Sequence, residues 1–407
     1  MPSLSDRLKS LGVHVGAQDI PPPQPANPYT IDRVLDGHLT STPQGETYIV
    51  EGRYSYDYAQ GITPLWNDQP LDAIAAWAHD ERLRGLDPHS LAFLDTETTG
   101  LSGGTGTYAF LIGVGRFEGS EFHLEQLFMR DPIEEPAQLA ALEEFLAPCS
   151  ALVTFNGKAF DVPILTTRYL THGWRSPLAD QIHVDLLHLA RRLWRDRLPS
   201  RTLPNLEYQI LGALRTQDDV PGWMIPQMYF DYLRSGDARP LKSVFYHNAM
   251  DVLSLAALLS HTAALLADPM SDRIDHAEDL LAMAKLFEEQ EQYDMAIQLY
   301  LRGLEANLPE EATINALHRL ALIHKRLDNL AEAVTLWEEA ARRQHLHSHV
   351  ELAKYYEHRL QDYDAAIHWA ETALSIIEQP GFPPYEKHQW RAELEHRLER
   401  LHRKRNG

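Results

Sequence analysis

Four carboxylates, spaced along the middle of the chain, have the arrangement needed to hold divalent cations. Asp95-Thr96-Glu97-Thr98 closes an apolar run, Leu91 to Leu94. In an extended strand residues two apart point to the same side, so Asp95 and Glu97 face one cavity from the strand terminus. Two acids held so close repel each other unless a cation lies between them. A third acid, Asp161, lies in Phe155-Asn156-Gly157-Lys158-Ala159-Phe160-Asp161-Val162-Pro163. There a strand turns through Asn-Gly into a helix, and a proline in that helix's first turn costs little. The fourth, Asp251, follows Tyr246-His247-Asn248 and runs into the apolar stretch Val252 to Leu259. His247 and Asp251 are four apart, so on a helix they share a face one turn apart. Each acid alone reads equally well as a helix cap or turn residue. Three such segments in one order carry more weight, because independent coincidences multiply.

The elements that would position these residues are legible as short apolar runs. Leu91 to Leu94, Tyr108 to Val114 and Phe122 to Met129 read as three antiparallel strands joined by turns. Glu134 to Leu146 has helical spacing with acids in its first turn. Ala151 to Phe155 is a strand, Val162 to Leu170 a helix and Ile182 to Val184 a short strand. Helical segments follow through Leu211 and from Leu241 to Leu265. This order predicts an α/β ribonuclease-H-like domain of mixed sheet over residues 86–268. Residues 1–85, broken by Pro21, Pro22, Pro23, Pro25 and Pro28, predict an irregular arm with a small hairpin at Glu46 to Tyr58. Past residue 272 no strand is expected. Ala296, Ala333 and Ala366, spaced by 37 and 33, mark helix pairs of tetratricopeptide-like spacing over 272–380. Residues 381–407 read as a basic helical tail. Gly103-Gly104-Thr105-Gly106-Thr107 lacks a following Gly-Lys-Ser/Thr and reads as a strand connection. Asp185 is balanced between structural and functional roles, and His345, His347 and His349 read as solvated.

Composition narrows the class. Apolar residues make up 44% and charged residues 23% of 407, which is ordinary for a folded soluble protein. The single cysteine, Cys149, excludes an intramolecular disulfide and a Cys-based zinc finger. No apolar run reaches the roughly 18 residues of a membrane span, and no secretory segment is visible, so a cytoplasmic protein is expected. A net charge of −21 argues against coating nucleic acid by bulk electrostatics. It leaves room for an enzyme that contacts phosphate through metals and a local basic strip, here Arg191, Arg192, Arg195, Arg197 and Arg201.

The segment from Asn156 through Phe160-Asp161-Val162-Pro163-Ile164-Leu165 to Arg168 resembles the second motif of the DEDD 3′–5′ exonucleases, in the form seen in B-family polymerase proofreading domains. The order Asp-x-Glu, Asp, then His or Tyr with Asp is similar to that superfamily's. Residues 85 to 265, with His183-Val184-Asp185-Leu186-Leu187, also resemble the YprB-type ribonuclease-H-like family. One departure stands: the superfamily has Tyr-x3-Asp and His-x4-Asp branches, whereas this chain has His at the Tyr spacing. The resemblance implies two-metal hydrolysis of phosphodiester bonds in DNA or RNA, with two Mg²⁺ or Mn²⁺ ions on Asp95, Glu97, Asp161 and Asp251. Oxygen-only ligation suits such hard cations. His247 takes the role of general base, with Tyr246 in reserve. Thr98, Gly100, Asn156 and Arg168 are the expected substrate contacts, and the helical repeats offer a groove for a protein partner. A non-catalytic nucleic-acid-binding adaptor is the alternative from a different class, and a structure-specific endonuclease a third reading.

Overall fold

A computed structural model describes residues 27–55, 57–66, 68–100 and 104–406. The proline cluster at 21–25, and Gly103 of the glycine-rich connection, lie outside the described residues. The central sheet has seven strands: β1 (His38–Thr42), β2 (Gly45–Ser55), β5 (Leu91–Thr98), β6 (Ala109–Glu118), β7 (Glu121–Phe128), β8 (Ala151–Thr154) and β9 (Ile182–Asp185). A two-stranded ribbon, β3 (Ala59–Gln60) and β4 (Thr63–Pro64), stands apart. The sheet order is β1-β2-β7-β6-β5-β8-β9, antiparallel as far as β5 and parallel from β5 through β8 to β9. Three antiparallel strands followed by parallel strands is the expected mixed sheet.

The N-terminal segment departs from expectation. The strand expected at Glu46 to Tyr58 does form a hairpin, with β1 from His38–Ile49 to Thr42–Gly45, but the hairpin is not separate: β2 pairs with β7 from Tyr48–Phe128 to Ser55–Glu121. Thus a boundary at residue 86 divides a single sheet. Periodicity reports that a segment is extended but not which strand it joins, and here the partner lies more than 60 residues away.

Both sheet faces are covered. α1 (Asp72–Ala78) precedes the sheet's centre; α2 (Glu135–Leu146) and α3 (Asp161–Thr171) cover one face; α4 (Leu186–Trp194), α5 (Ile225–Ser235) and α6 (Leu241–Ala267) follow. Strand alternation sorts the core. Ala92 and Leu94 pack with Leu142, Phe145 and Leu165 of α2 and α3. Leu91 and Phe93 pack with Leu253 and Ala257 of α6. Asp95 and Glu97 continue that second row past the last apolar residue. Two glycines let α6 approach: a Cβ on Gly113 would lie 2.3 Å from Asn248 Oδ1, and one on Gly115 3.0 Å from Val252 Cγ1. By length and composition α6 could cross a membrane, yet most of its apolar stretch is buried inside the protein, as befits a core helix.

The rest is helical: α7 (Ala277–Glu289), α8 (Tyr293–Leu304), α9 (Glu310–Arg326), α10 (Leu330–Arg342), α11 (Leu346–Tyr355), α12 (Tyr363–Ile377) and α13 (Pro384–Asn406). The small residues Ala296, Ala333 and Ala366 are fully buried between neighbouring helices. The basic C-terminal segment is helical, as expected, and it packs against the repeats. Leu394 and Leu401 of α13 are buried, and Arg400 and Lys404 bond Glu357, whose carboxyl is pulled down to about 2 by these cations despite its burial. His349 is buried and His345 half-buried against the His318 ring, so these two are not solvated, whereas His347 is exposed, with Trp390 edge-on to its ring.

Candidate active site

The four carboxylates arrive from three elements at the C-terminal end of β5. Asp95 and Glu97 project from β5 on the α6 face, and Asp251 comes from α6 itself. Asp161 opens α3 and approaches from the other side, where Thr96 Oγ1 donates to its Oδ1 at 2.5 Å. The arrangement follows from local structure: β5 runs apolar for four residues and then turns polar, leaving its acids at the sheet's rim.

Their electrostatics show how closely they converge. Burial, then the charges of Asp251 and Asp161, push the Asp95 carboxyl far above the usual range. Burial, then Asp95, Asp251 and Asp161, does the same to Glu97. Asp161 is raised to about 6, chiefly by burial against the lowering effect of its hydrogen bonds, and Asp251 is also raised by burial. Ionising all four acids together is therefore opposed by burial and by their mutual repulsion, which Arg215 offsets only in part.

Asp95 is held by Asn248, whose Nδ2 donates to Asp95 Oδ2 at 3.0 Å and to its carbonyl at 3.3 Å. Gln126 Nε2 in turn donates to Asn248 Oδ1 at 3.0 Å and to the Phe245 carbonyl at 2.8 Å. Sequence alone does not disclose this Gln126–Asn248–Asp95 relay, although Asn248 stands inside the motif.

His247 faces the cluster: Nε2 lies 3.6 Å from Asp251 Oδ2 and 4.0 Å from Glu97 Oε1, while Nδ1 lies 2.7 Å from Asp219 Oδ1. The Tyr246 hydroxyl instead accepts from the Thr216 backbone N–H at 3.0 Å. Only the histidine of the two therefore reaches the carboxylates.

Arg215 is the main residue that sequence reasoning misses. Its guanidinium bonds Glu207 through Nε at 2.7 Å and Nη2 at 2.6 Å, donates to Asp251, and lies 3.1 Å from His247 Nδ1. Burial opposes its charge, but the paired acids hold it protonated. It comes from an irregular loop with no periodicity or motif to mark it. Replacing Arg215 with methionine leaves Glu207, 1% exposed, without its cation. The metal-free variant should lose about 3–5 kcal/mol of stability in urea unfolding. A loss under about 1 kcal/mol, the scale of an ordinary hydrogen bond, would show that Glu207 finds another partner.

The remaining expected contacts divide. Asn156 lines an open cleft of about 540 Å³ with Asp95, Asp251, Phe155, Arg191 and Arg201. It has a positive φ of 66°, and Asp185 fixes the turn by accepting from the Asn156 N–H at 2.8 Å and the Lys158 N–H at 3.1 Å. Asp185 thus shapes the loop. Thr98 Oγ1 donates to the Gly100 carbonyl at 2.9 Å, so that hydroxyl braces its own strand end. Arg168 corrects the expectation of substrate contact. It is 3% exposed, bonds Glu135 twice at 2.6 Å and the Thr105 carbonyl at 2.5 Å, and stacks over Tyr108. The basic strip is also divided: Arg192 pairs with Glu289 and Arg197 with Asp279, both on α7, while Arg191, Arg195 and Arg201 border open grooves.

A separate cluster lies on the opposite, α2 face. Glu51, His123 and Glu125 bring their ligand atoms within 4.8 Å of one another, and burial followed by Glu51 raises Glu125 to about 7.

Sheet order and rim acids define a ribonuclease-H-like domain. The RNase_H superfamily profile matches residues 92–263, a likeness that points to nucleic-acid processing. The chain is 35% identical over 331 residues, 80% of its length and 77% of the relative's, to the uncharacterized protein YprB of Bacillus subtilis (strain 168). The chain belongs to the YprB family.

Proposed function

We propose that this protein is a metal-dependent 3′–5′ exonuclease acting on single-stranded or frayed DNA or RNA. The observation that carries the reading is the convergence of Asp95, Glu97, Asp161 and Asp251, where burial and then the neighbouring charges raise the proton affinity of Asp95 and Glu97. The donors fit a hard divalent cation: they are carboxylate oxygens, and their mutual repulsion is only partly offset by Arg215, which bonds Asp251. Mg²⁺ or Mn²⁺ held by these four residues would polarise the phosphate and lower the pKa of a bound water.

The protein's own groups have distinct tasks. Asn248 fixes the Asp95 rotamer, and Thr96 fixes that of Asp161. His247 Nε2, directed at the carboxylates, is placed to accept a proton from water, with Asp219 at Nδ1 to orient the ring. Asn156 and Phe155, at the cleft wall, would meet the terminal nucleotide. A purely binding adaptor gains nothing from four clustered acids facing phosphate. The repeats are read as tetratricopeptide-like and as a platform for a protein partner.

The test is degradation of 5′-labelled DNA and RNA oligonucleotides with Mg²⁺ or Mn²⁺. The expected result is a ladder shortening from the 3′ end, abolished by EDTA and by Asp95→Ala. Identical products from wild type and variant, or cleavage of a circular strand, would overturn the reading.

A further inference from the structure

The cleft does not end at the carboxylates. Arg191, on its wall, also lines a groove with Trp77, His188, Arg195 and Lys285, where α4 meets the first repeat helix α7. Arg195 and Lys285 then line the next depression, which runs along α7 to Glu311 and Asn315 of α9. Shared residues make this one path from the site to the repeats.

Its charge is graded. Arg191 is exposed, and among the described residues no acid pairs with it. The Arg195 side chain is 72% exposed, with only Asp196 at 3.6 Å, and Asp196 also meets Lys285 at 3.1 Å. Arg191 and Arg195 are one helical turn apart, so they lie on one face about 6 Å apart along the axis. His188 is exposed one turn before them, and Trp77 is half-buried across the groove. Cations in a row beside flat rings are the composition that tracks a single strand, by phosphate contact and base stacking. In a chain of net charge −21 such a strip is exceptional. Beyond Lys285 the walls gain Glu278 and Glu311, which repel phosphate. The favourable tract is therefore short.

We propose that this groove holds the single-stranded nucleic acid trailing from the active site, and that it ends where α7 and α9 turn acidic. The inference rests on the exonuclease reading for its direction, but binding can be read without cleavage. Fluorescence anisotropy of labelled single strands, from dinucleotides to strands well beyond the groove, on full-length Asp95→Asn protein should show affinity rising with length. It should level off within roughly 4–16 nucleotides, the span typical of such grooves. Arg195→Glu, and separately Lys285→Gln, should weaken binding of a strand of about 16 nucleotides by roughly tenfold or more. Each should flatten the salt dependence by about 0.7 in log–log slope for every phosphate no longer neutralised. Binding of a dinucleotide should change much less.

Unchanged long-strand affinity in both variants would overturn the proposal, as would equal competition by polyglutamate or by blunt duplex. Length-dependent binding in a protein that cleaves nothing would remove the exonuclease reading and leave the groove standing. Cleavage with length-independent binding would do the reverse.

Discussion

Asparagine at position 95 should abolish hydrolysis while making the metal-free protein more stable at pH 8. The carboxylate is crowded: burial and the charges of Asp251 and Asp161 all oppose its ionisation. Asparagine keeps the shape, and its amide oxygen can still accept from Asn248 Nδ2. Removing one charge from the group should stabilise the folded state by about 1–2 kcal/mol, since each unit of pKa shift corresponds to roughly 1.4 kcal/mol. Activity should fall by at least about 10³-fold, the scale of losing a group that acts on the developing transition state. The pH dependence carries its own signature. Asp95, Glu97, Asp161 and Asp251 all have folded pKa values above their unfolded ones. At these four groups the folded state therefore holds more protons, and the stability they contribute is fullest in acid and declines as pH rises; for Asp161 the decline runs from about 4 to about 6. Urea unfolding in EDTA across mildly acidic to mildly alkaline pH should show a steeper decline in wild type than in Asp95→Asn. Mn²⁺ at pH 8 should restore wild type more than the variant. Parallel pH curves for the two proteins would show that Asp95 does not repel its neighbours.

The second large effect belongs to a residue pair remote from catalysis. Glu135 and Arg168 are 2% and 3% exposed and joined by two hydrogen bonds, with His172 Nε2 a further 2.7 Å from Glu135. Glu135→Ala strands a buried guanidinium and should cost about 3–5 kcal/mol in urea unfolding. The double replacement Glu135→Met with Arg168→Met should recover most of that, because two apolar side chains of similar volume avoid burying charge. The same experiment distinguishes support from substrate binding. If Arg168 only ties α2, α3 and the Thr105 carbonyl together, the double variant should retain its KM for oligonucleotides. A KM raised roughly tenfold in a fully folded double variant, the mark of lost substrate binding, would return Arg168 to the substrate.

What is legible in the sequence follows the range of the interactions. The strands β5 to β9 and helices α2, α3 and α6 are visible because apolar spacing is local, and Asp95 and Glu97 are visible because a strand's period of two fixes their common face. Asp161 is found through its neighbours Asn156 to Leu165. Arg168 matches the same motif, yet its partner Glu135 lies 33 residues upstream, and no spacing rule discloses a buried ion pair across two helices. Arg215 escapes for a related reason: it reaches Asp251 from a loop with neither period nor motif. The strand β2 is recognisably part of a hairpin, which it forms with β1, but its second pairing, with β7, is decided by the tertiary structure. Of the five clustered arginines, two dock α7 rather than nucleic acid, a division that needs the positions of Asp279 and Glu289.

That docking has a consequence for how the molecule can be taken apart. Leu193 and Trp194 of α4 share one apolar core with Leu280, Met283 and Phe287 of α7 and with Leu320 and Ile323 of α9. The first repeats thus form part of the wall against which the catalytic half is built, not a detachable tail. Cutting the chain between α6 and α7 would uncover this seam, and neither piece would keep its neighbour's apolar surface from water. A graft that exchanges the repeats for others must carry α7 to α9 with it, so changes in specificity should accumulate most freely from α10 onward.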